Sequence, residues 1–201
     1  MRLASAGFLA AAAALLASCA TPQRDHRPDA LAMMKRDFHA RGIAGLDRLN
    51  EDSVQAACNN FGDNPPPEVA AKLQKEQLAT IKWPADGKLL GDWRNGEKIA
   101  QDGRGMAWND KGGVGGSCYN CHQVGPRESS FGPVGPSLYQ FAKKRGYGAE
   151  IQRYAYGKVY NAKAYNLCSQ MPRFGHVHAL TEQQMKDLTA LLMDPASPVN
   201  Q

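Results

Sequence analysis

Toward the C-terminus apolar positions recur at helical spacing, with Met185, Leu188, Leu191 and Leu192 forming one stripe. Thr181 is a good N-cap ahead of it, and Gln184 completes a capping box. Leu180 and Met185 are placed as a hydrophobic staple. Asp194-Pro195 stops the helix. A second helix is predicted over 92–101, where Gly96 and Ala100 beside Ile99 permit another helix to cross closely. Weaker patterns run earlier. Leu31, Met34 and Phe38 predict a helix over 30–41 ending near Gly42, and Leu46, Leu49 and Val54 predict a short one reaching Cys58. Asp63-Asn64 can cap a third, with Pro65, Pro66 and Pro67 confining its start and Trp83-Pro84 ending it. Helical pattern resumes over 150–156. The expected fold class is all-α, with a mostly helical extension at 19–89 and a second domain at 90–201.

Residues 1–18 hold a single charge, Arg2, and an apolar run from Leu3 to Ala17 that is short for a bilayer span. This is an export signal. Leu16-Ala17-Ser18-Cys19 looks like a bacterial lipoprotein box, in which Cys19 becomes the lipidated first residue. Ordinary cleavage after Ala20 is the competing reading. Either way the mature protein works outside the cytoplasm, in the periplasm, with a lipid tether if Cys19 is acylated. Negative mean hydropathy, 12 prolines and 20 glycines describe a loop-rich chain rather than a membrane-embedded one. The net charge of +5 can steer an acidic partner but identifies none. No basic helix with interleaved aromatics argues for nucleic acid.

The chemistry concentrates at Cys118-Tyr119-Asn120-Cys121-His122. Two cysteines three apart, and a histidine four after the first, fall on one side of a helical turn. That spacing lets both thiols form thioethers to porphyrin vinyl groups while the imidazole reaches the iron, so it reads as covalent attachment of one haem c. A structural zinc site needs four ligands, whereas Cys58 and Cys168 stand alone. A thioredoxin-like pair follows a strand, whereas Gly112-Gly113-Val114-Gly115-Gly116 leads in here. Small helices before and after this motif match the layout of class I cytochromes c.

For the opposite face of the iron Met171 leads. It lies 50 residues after Cys121, enough chain to round a haem edge, and Pro172 and Gly175 suit a loop presenting one side chain inward. His176 and His178 are the rivals. Met185 and Met193 suit core filling, and Met106 is too near the motif. The carbonyl of Pro136 can accept the other ring N–H of His122, against the plainer reading of a turn proline. Arg173 is expected at a haem propionate or in solvent. Cys58 and Cys168 form an even pair in an oxidising compartment, which predicts a disulfide over two buried thiols.

Together with Gly135-Pro136-Ser137-Leu138 and Met171-Pro172-Arg173-Phe174-Gly175, the haem motif resembles the SoxX family. These are the monohaem cytochrome c subunits of the bacterial SoxAX complex of thiosulfate oxidation. The tail Asp194-Pro195-Ala196-Ser197-Pro198-Val199-Asn200 is similar to that family's end. The methionine segment and this ending are the more specific features, and the likeness covers about residues 90–201. It implies a heterodimer with a SoxA-type cytochrome that joins thiosulfate to a cysteine of the SoxYZ carrier protein, an L-cysteine S-thiosulfotransferase. Cys118 and Cys121 would attach the haem, and His122 and Met171 would ligate its iron. The sulfur chemistry would belong to SoxA, leaving no catalytic residue here. Electrons would pass to a diffusible cytochrome c. Rival readings are a free-standing electron carrier, a five-coordinate haem sensor or enzyme, and a structural lipoprotein. Tyr147, Tyr154, Tyr156, Tyr160 and Tyr165 fit a protein interface or the haem pocket.

Overall fold

The computed structural model describes residues 24–42, 45–104, 115–126 and 134–201. The export segment, Cys19, Met106 and parts of both glycine-rich stretches lie outside the described residues. Seven α-helices are present among the described residues: α1 (Arg27–Asp37), α2 (Ser53–Asn60), α3 (Pro67–Ala79), α4 (Trp93–Gln101), α5 (Phe141–Arg145), α6 (Ala149–Tyr160) and α7 (Glu182–Met193). Short 3-10 turns occupy Leu46–Leu49, Cys118–Asn120, Ala162–Ala164 and Pro198–Asn200. No strand appears among these residues, so the all-α expectation holds. Nor is any of these helices long and apolar enough to cross a membrane.

Two compact units are distinguished, one ending at His39 and one running from Ala40 to Gln201. In the first, α1 has a proline in its first turn, Lys35 and Arg36 in its last, and no buried residue. It stops at Asp37, short of the expected Arg41, because Phe38 is already extended.

The second unit is built around the crossing of α4 and α7. A Cβ at Gly96 would stand 2.1 Å from the carbonyl oxygen of Asp187, so only glycine lets the two backbones meet. Asp187 ties the crossing further. Its Oδ1 accepts from the Asp92 amide at 2.8 Å and from Gln183 Nε2 at 2.8 Å. The capping box expected at Thr181 and Gln184 is present, and Leu180 and Met185 are buried in one cluster. Every residue from Met185 to Met193 is buried. The apolar stripe understated this, since α4, α5 and α6 all pack on α7. Its polar residues are satisfied: Thr189 Oγ1 donates to Met185 O at 2.7 Å, and Lys186 pairs with Asp86 at 3.1 Å.

Chain order then explains the tail. Ser197 and Asn200 are fully buried. Ser197 Oγ donates to Leu191 O, and Asn200 Nδ2 donates to Leu192 O and Asp194 O, each at 3.0 Å. These bonds satisfy the carbonyls left open at the end of α7. Asn200 Oδ1 also accepts from the Ala142 amide at 3.1 Å, pinning α5 to the same point. The five-residue α5 went unforeseen because it depends on this partner.

Residues 46–89 pack in the same unit. The single helix expected from Leu46 to Cys58 is two elements, since Asn50 is extended and the Asp52 carboxylate captures the amides of Val54 and Gln55 to start α2 afresh. α3 starts at Pro67, with Pro66 rather than Asp63 or Asn64 at its cap, and ends before Trp83 where Thr80 Oγ1 donates to Gln77 O at 2.7 Å. Cys58 and Cys168 are joined by a disulfide with Cα atoms 5.6 Å apart, as the cysteine count predicted. Closing a separation of 110 residues contributes up to about 5 kcal/mol in the chain-entropy account. Val54, Cys58, Leu73 and Leu167 form a second small cluster around it. Of the five tyrosines, Tyr156 and Tyr160 are buried in the main core and Tyr147 is exposed.

The Gly96 contact leads to a stability prediction. Gly96→Ala sets a methyl against the α7 backbone and is expected to cost about 1–3 kcal/mol. Thermal unfolding of the haem-loaded protein should show a midpoint about 2–4 °C lower per kcal/mol.

Candidate haem site

The attachment motif hangs from the end of α4. Gly116 N donates to Ile99 O at 2.9 Å and Ser117 N to Asp102 O at 3.1 Å. A Cβ at Gly115 would lie 2.2 Å from Asp102 O, so Gly115 serves close approach to the end of α4. Ser117 then adopts a left-handed conformation, φ 50°, and the chain winds into the turn Cys118–Asn120. The amides of Cys121 and His122 both donate to Cys118 O, at 3.1 and 2.9 Å. One tight turn thus brings Cys118, Cys121 and His122 to the same cavity.

Nδ1 of His122 lies 2.7 Å from the carbonyl oxygen of Pro136. A carbonyl only accepts, so Nδ1 carries the proton and Nε2 keeps its lone pair free for a metal. The ring rests on Gly135, where a Cβ would come within 2.2 Å of His122 Cε1. Gly135 N donates back to Cys121 O at 2.8 Å, closing the cradle.

The cavity measures about 650 Å³, within the range of cofactor pockets. Its lining brings together Cys118, Cys121, His122, Pro136 and Met171, with walls from Phe141, Val159, Phe174, Leu188, Leu191 and Leu192. Burial pushes the Cys118 thiol up to about 12. The thiol is therefore neutral near pH 7, unlike the thiolate that a disulfide-exchange pair requires. Two thiols, an imidazole and a thioether in an apolar slot fit haem c.

Met185 and Met193 are core residues, and neither lines the cavity. His176 and His178 are likewise absent from its lining. Arg173 departs from expectation. It does not line the cavity but borders a polar cleft, where it pairs with Asp52 and donates to Gln77 Oε1 at 3.3 Å. An anionic partner on α2 draws it away from the haem side.

Two cationic side chains missed in the sequence, Arg145 and Lys158, do line the cavity. Burial holds the Lys158 ammonium below the ordinary lysine value, and a propionate is the kind of group that would offset that cost. The available signal was one lysine within the otherwise uncharged run Ala155-Tyr156-Gly157-Lys158-Val159-Tyr160.

The fold and this cavity define a helical haem-binding domain of the c type. The family model described as cytochrome c matches residues 94–194. A protein of Aquifex aeolicus (strain VF5) named "Uncharacterized lipoprotein" is 38% identical over 156 residues, covering 75% of this chain and 73% of that protein. The chain belongs to the cytochrome c family. Membership carries covalently bound haem c, which supplies a one-electron couple at its iron, and an extracytoplasmic setting.

Gly135→Val would force the His122 ring off its cradle. Loss of a group that orients a metal-ligating histidine costs roughly 10–100-fold in metal-site affinity. Because thioethers hold the haem, the expected effect is a His122–iron bond weakened by that factor, read as a high-spin fraction in the absorption spectrum of the purified protein.

Proposed function

We propose that the protein is a single-haem electron-transfer subunit in which His122 and Met171 ligate the iron. The observation behind this reading is that both side chains line one cavity. With two protein ligands the iron has no open position for substrate, so its role is to take up and release electrons. A neutral thioether opposite imidazole raises the reduction potential of a c haem. Apolar walls exclude water from the site, and the Pro136 carbonyl holds His122 in its ligating tautomer.

The subunit's place, on this reading, is a periplasmic SoxAX heterodimer of the SoxX type. There a SoxA-type cytochrome joins thiosulfate to the SoxYZ cysteine, and this chain takes the released electrons and passes them to a diffusible cytochrome c. Support comes from the Met171–Gly175 segment and the Ser197–Asn200 ending, whose buried serine and asparagine have the structural work described above. A lipid on Cys19 fits the name of the Aquifex relative, a lipoprotein. A second reading, a free-standing carrier, draws on one finding: Tyr156 and Tyr160 are buried in the core and offer nothing to a partner.

The oxidised protein is expected to show the near-infrared sulfur-to-iron band, and Met171→Ala to abolish it. The same substitution should lower the potential by on the order of 100 mV, within the ~0.8 V that axial ligands span. Ready uptake of carbon monoxide by the reduced wild type would overturn the ligation. Co-purification with a SoxA-type cytochrome separates the complex from the lone carrier.

A further inference from the structure

Residues 168–173 form a thin wall. Met171 lines the haem cavity on one side and, on the other, a polar cleft of about 300 Å³ that is also lined by Gln55, Asn59, Lys163, Gln170 and Arg173. Backed on that side by the open cleft, the segment has little protein packing to fix it. Two attachments flank it instead. Three residues before Met171, Cys168 is bonded to Cys58 of α2. Two residues after it, the Arg173 guanidinium is held by the Asp52 carboxylate and by Gln77 Oε1. Gln77 is itself fixed from α3, accepting at 3.0 Å from the fully buried Asn161. Every one of these anchors comes from residues 52–77, ahead of the haem motif.

We propose that α2 and α3 are a brace whose task is to hold Met171 on the iron, with Cys58 and Asp52 as positioning residues acting through Cys168 and Arg173. The inference rests on Met171 being an axial ligand. Three residues span at most about 10 Å of extended chain, so a staple at Cys168 leaves the methionine little travel. The Arg173 pair limits what remains. Its side chain is 14% exposed and that of Asp52 37%, so the pair is only partly screened by water. Asp52 has a second job, since its Oδ1 caps α2 while Oδ2 takes Arg173. Asn caps helices about as well as Asp, so Asp52→Asn removes the charge and leaves the cap.

The test follows the near-infrared band of the full, haem-loaded protein as pH is raised, together with carbon monoxide binding by the reduced form. Wild type is compared with Asp52→Asn, Cys58→Ser paired with Cys168→Ser, the combination, and Asp52→Glu as rescue. Each break should lower the pH midpoint of band loss by about one unit, a tenfold easier opening. The combination should lower it further and admit carbon monoxide. Asp52→Glu, which keeps the carboxylate for Arg173 but caps α2 less well, stays near the wild-type midpoint while melting earlier. If the cysteine variant fails to mature, Asp52→Asn alone decides. Breaks that cause earlier melting yet keep the wild-type midpoint and carbon monoxide response would overturn the brace while leaving Met171 ligation intact. A wild type without the band would overturn both.

Discussion

The crossing of α4 and α7 at Gly96 is the contact on which the rest of the structure depends. Two helix backbones touch there through a position where no Cβ fits. From the end of α4 hangs the turn that carries both attachment cysteines and His122, fixed by backbone bonds to Ile99 and Asp102. From α7 come Leu188, Leu191 and Leu192, the apolar wall of the same cavity. Moving the crossing would separate the attachment turn from the wall it faces. An adjustment of even an ångström matters because cores pack at crystal-like density and cannot absorb it smoothly.

Around that contact the polar groups are consumed rather than left over. Among the described residues no buried side-chain nitrogen or oxygen lacks a partner. The tail illustrates the cost avoided. Without Ser197 and Asn200, the last carbonyls of α7 would be buried with nothing to accept from, a loss of about 1–3 kcal/mol for each such group. Asn161 does the same work between α6 and α3, donating to Gln77 Oε1 and to Thr80 Oγ1, each at 3.0 Å. Residues 46–89 are thus joined to the haem region by specific polar bonds and one disulfide, beyond apolar contact alone.

The cavity combines an apolar body with polar handles whose states follow from their neighbours. His122 has its tautomer set by a carbonyl 2.7 Å away. Cys118 is kept as a neutral thiol by burial, and Lys158 is destabilised as a cation by the same burial. The last two share one cause, a low-dielectric slot that penalises unpaired charge. They suit a neutral-thioether, imidazole and carboxylate-bearing cofactor, and they run against a thiolate redox pair.

What the sequence determined by itself was local. The Cys118–His122 turn, the α7 capping box and the Gly96 allowance each depend on residues within a few positions, where spacing and steric rules operate directly. Even the Cys58–Cys168 bridge followed from counting cysteines in an oxidising compartment. Tertiary structure decided the rest. Asp52 claimed Arg173 from the haem side because a carboxylate 121 residues away along the chain arrived within reach. Five tyrosines that looked alike in sequence went to different places, Tyr156 into the core and Tyr147 to the surface. Lys158 became a cavity residue only when α6 turned that face inward. Periodicity tells which residues share a helix face, but which partner meets that face depends on how distant chain segments, such as Asp52 and Arg173 121 residues apart, pack together, and no local pattern encodes that.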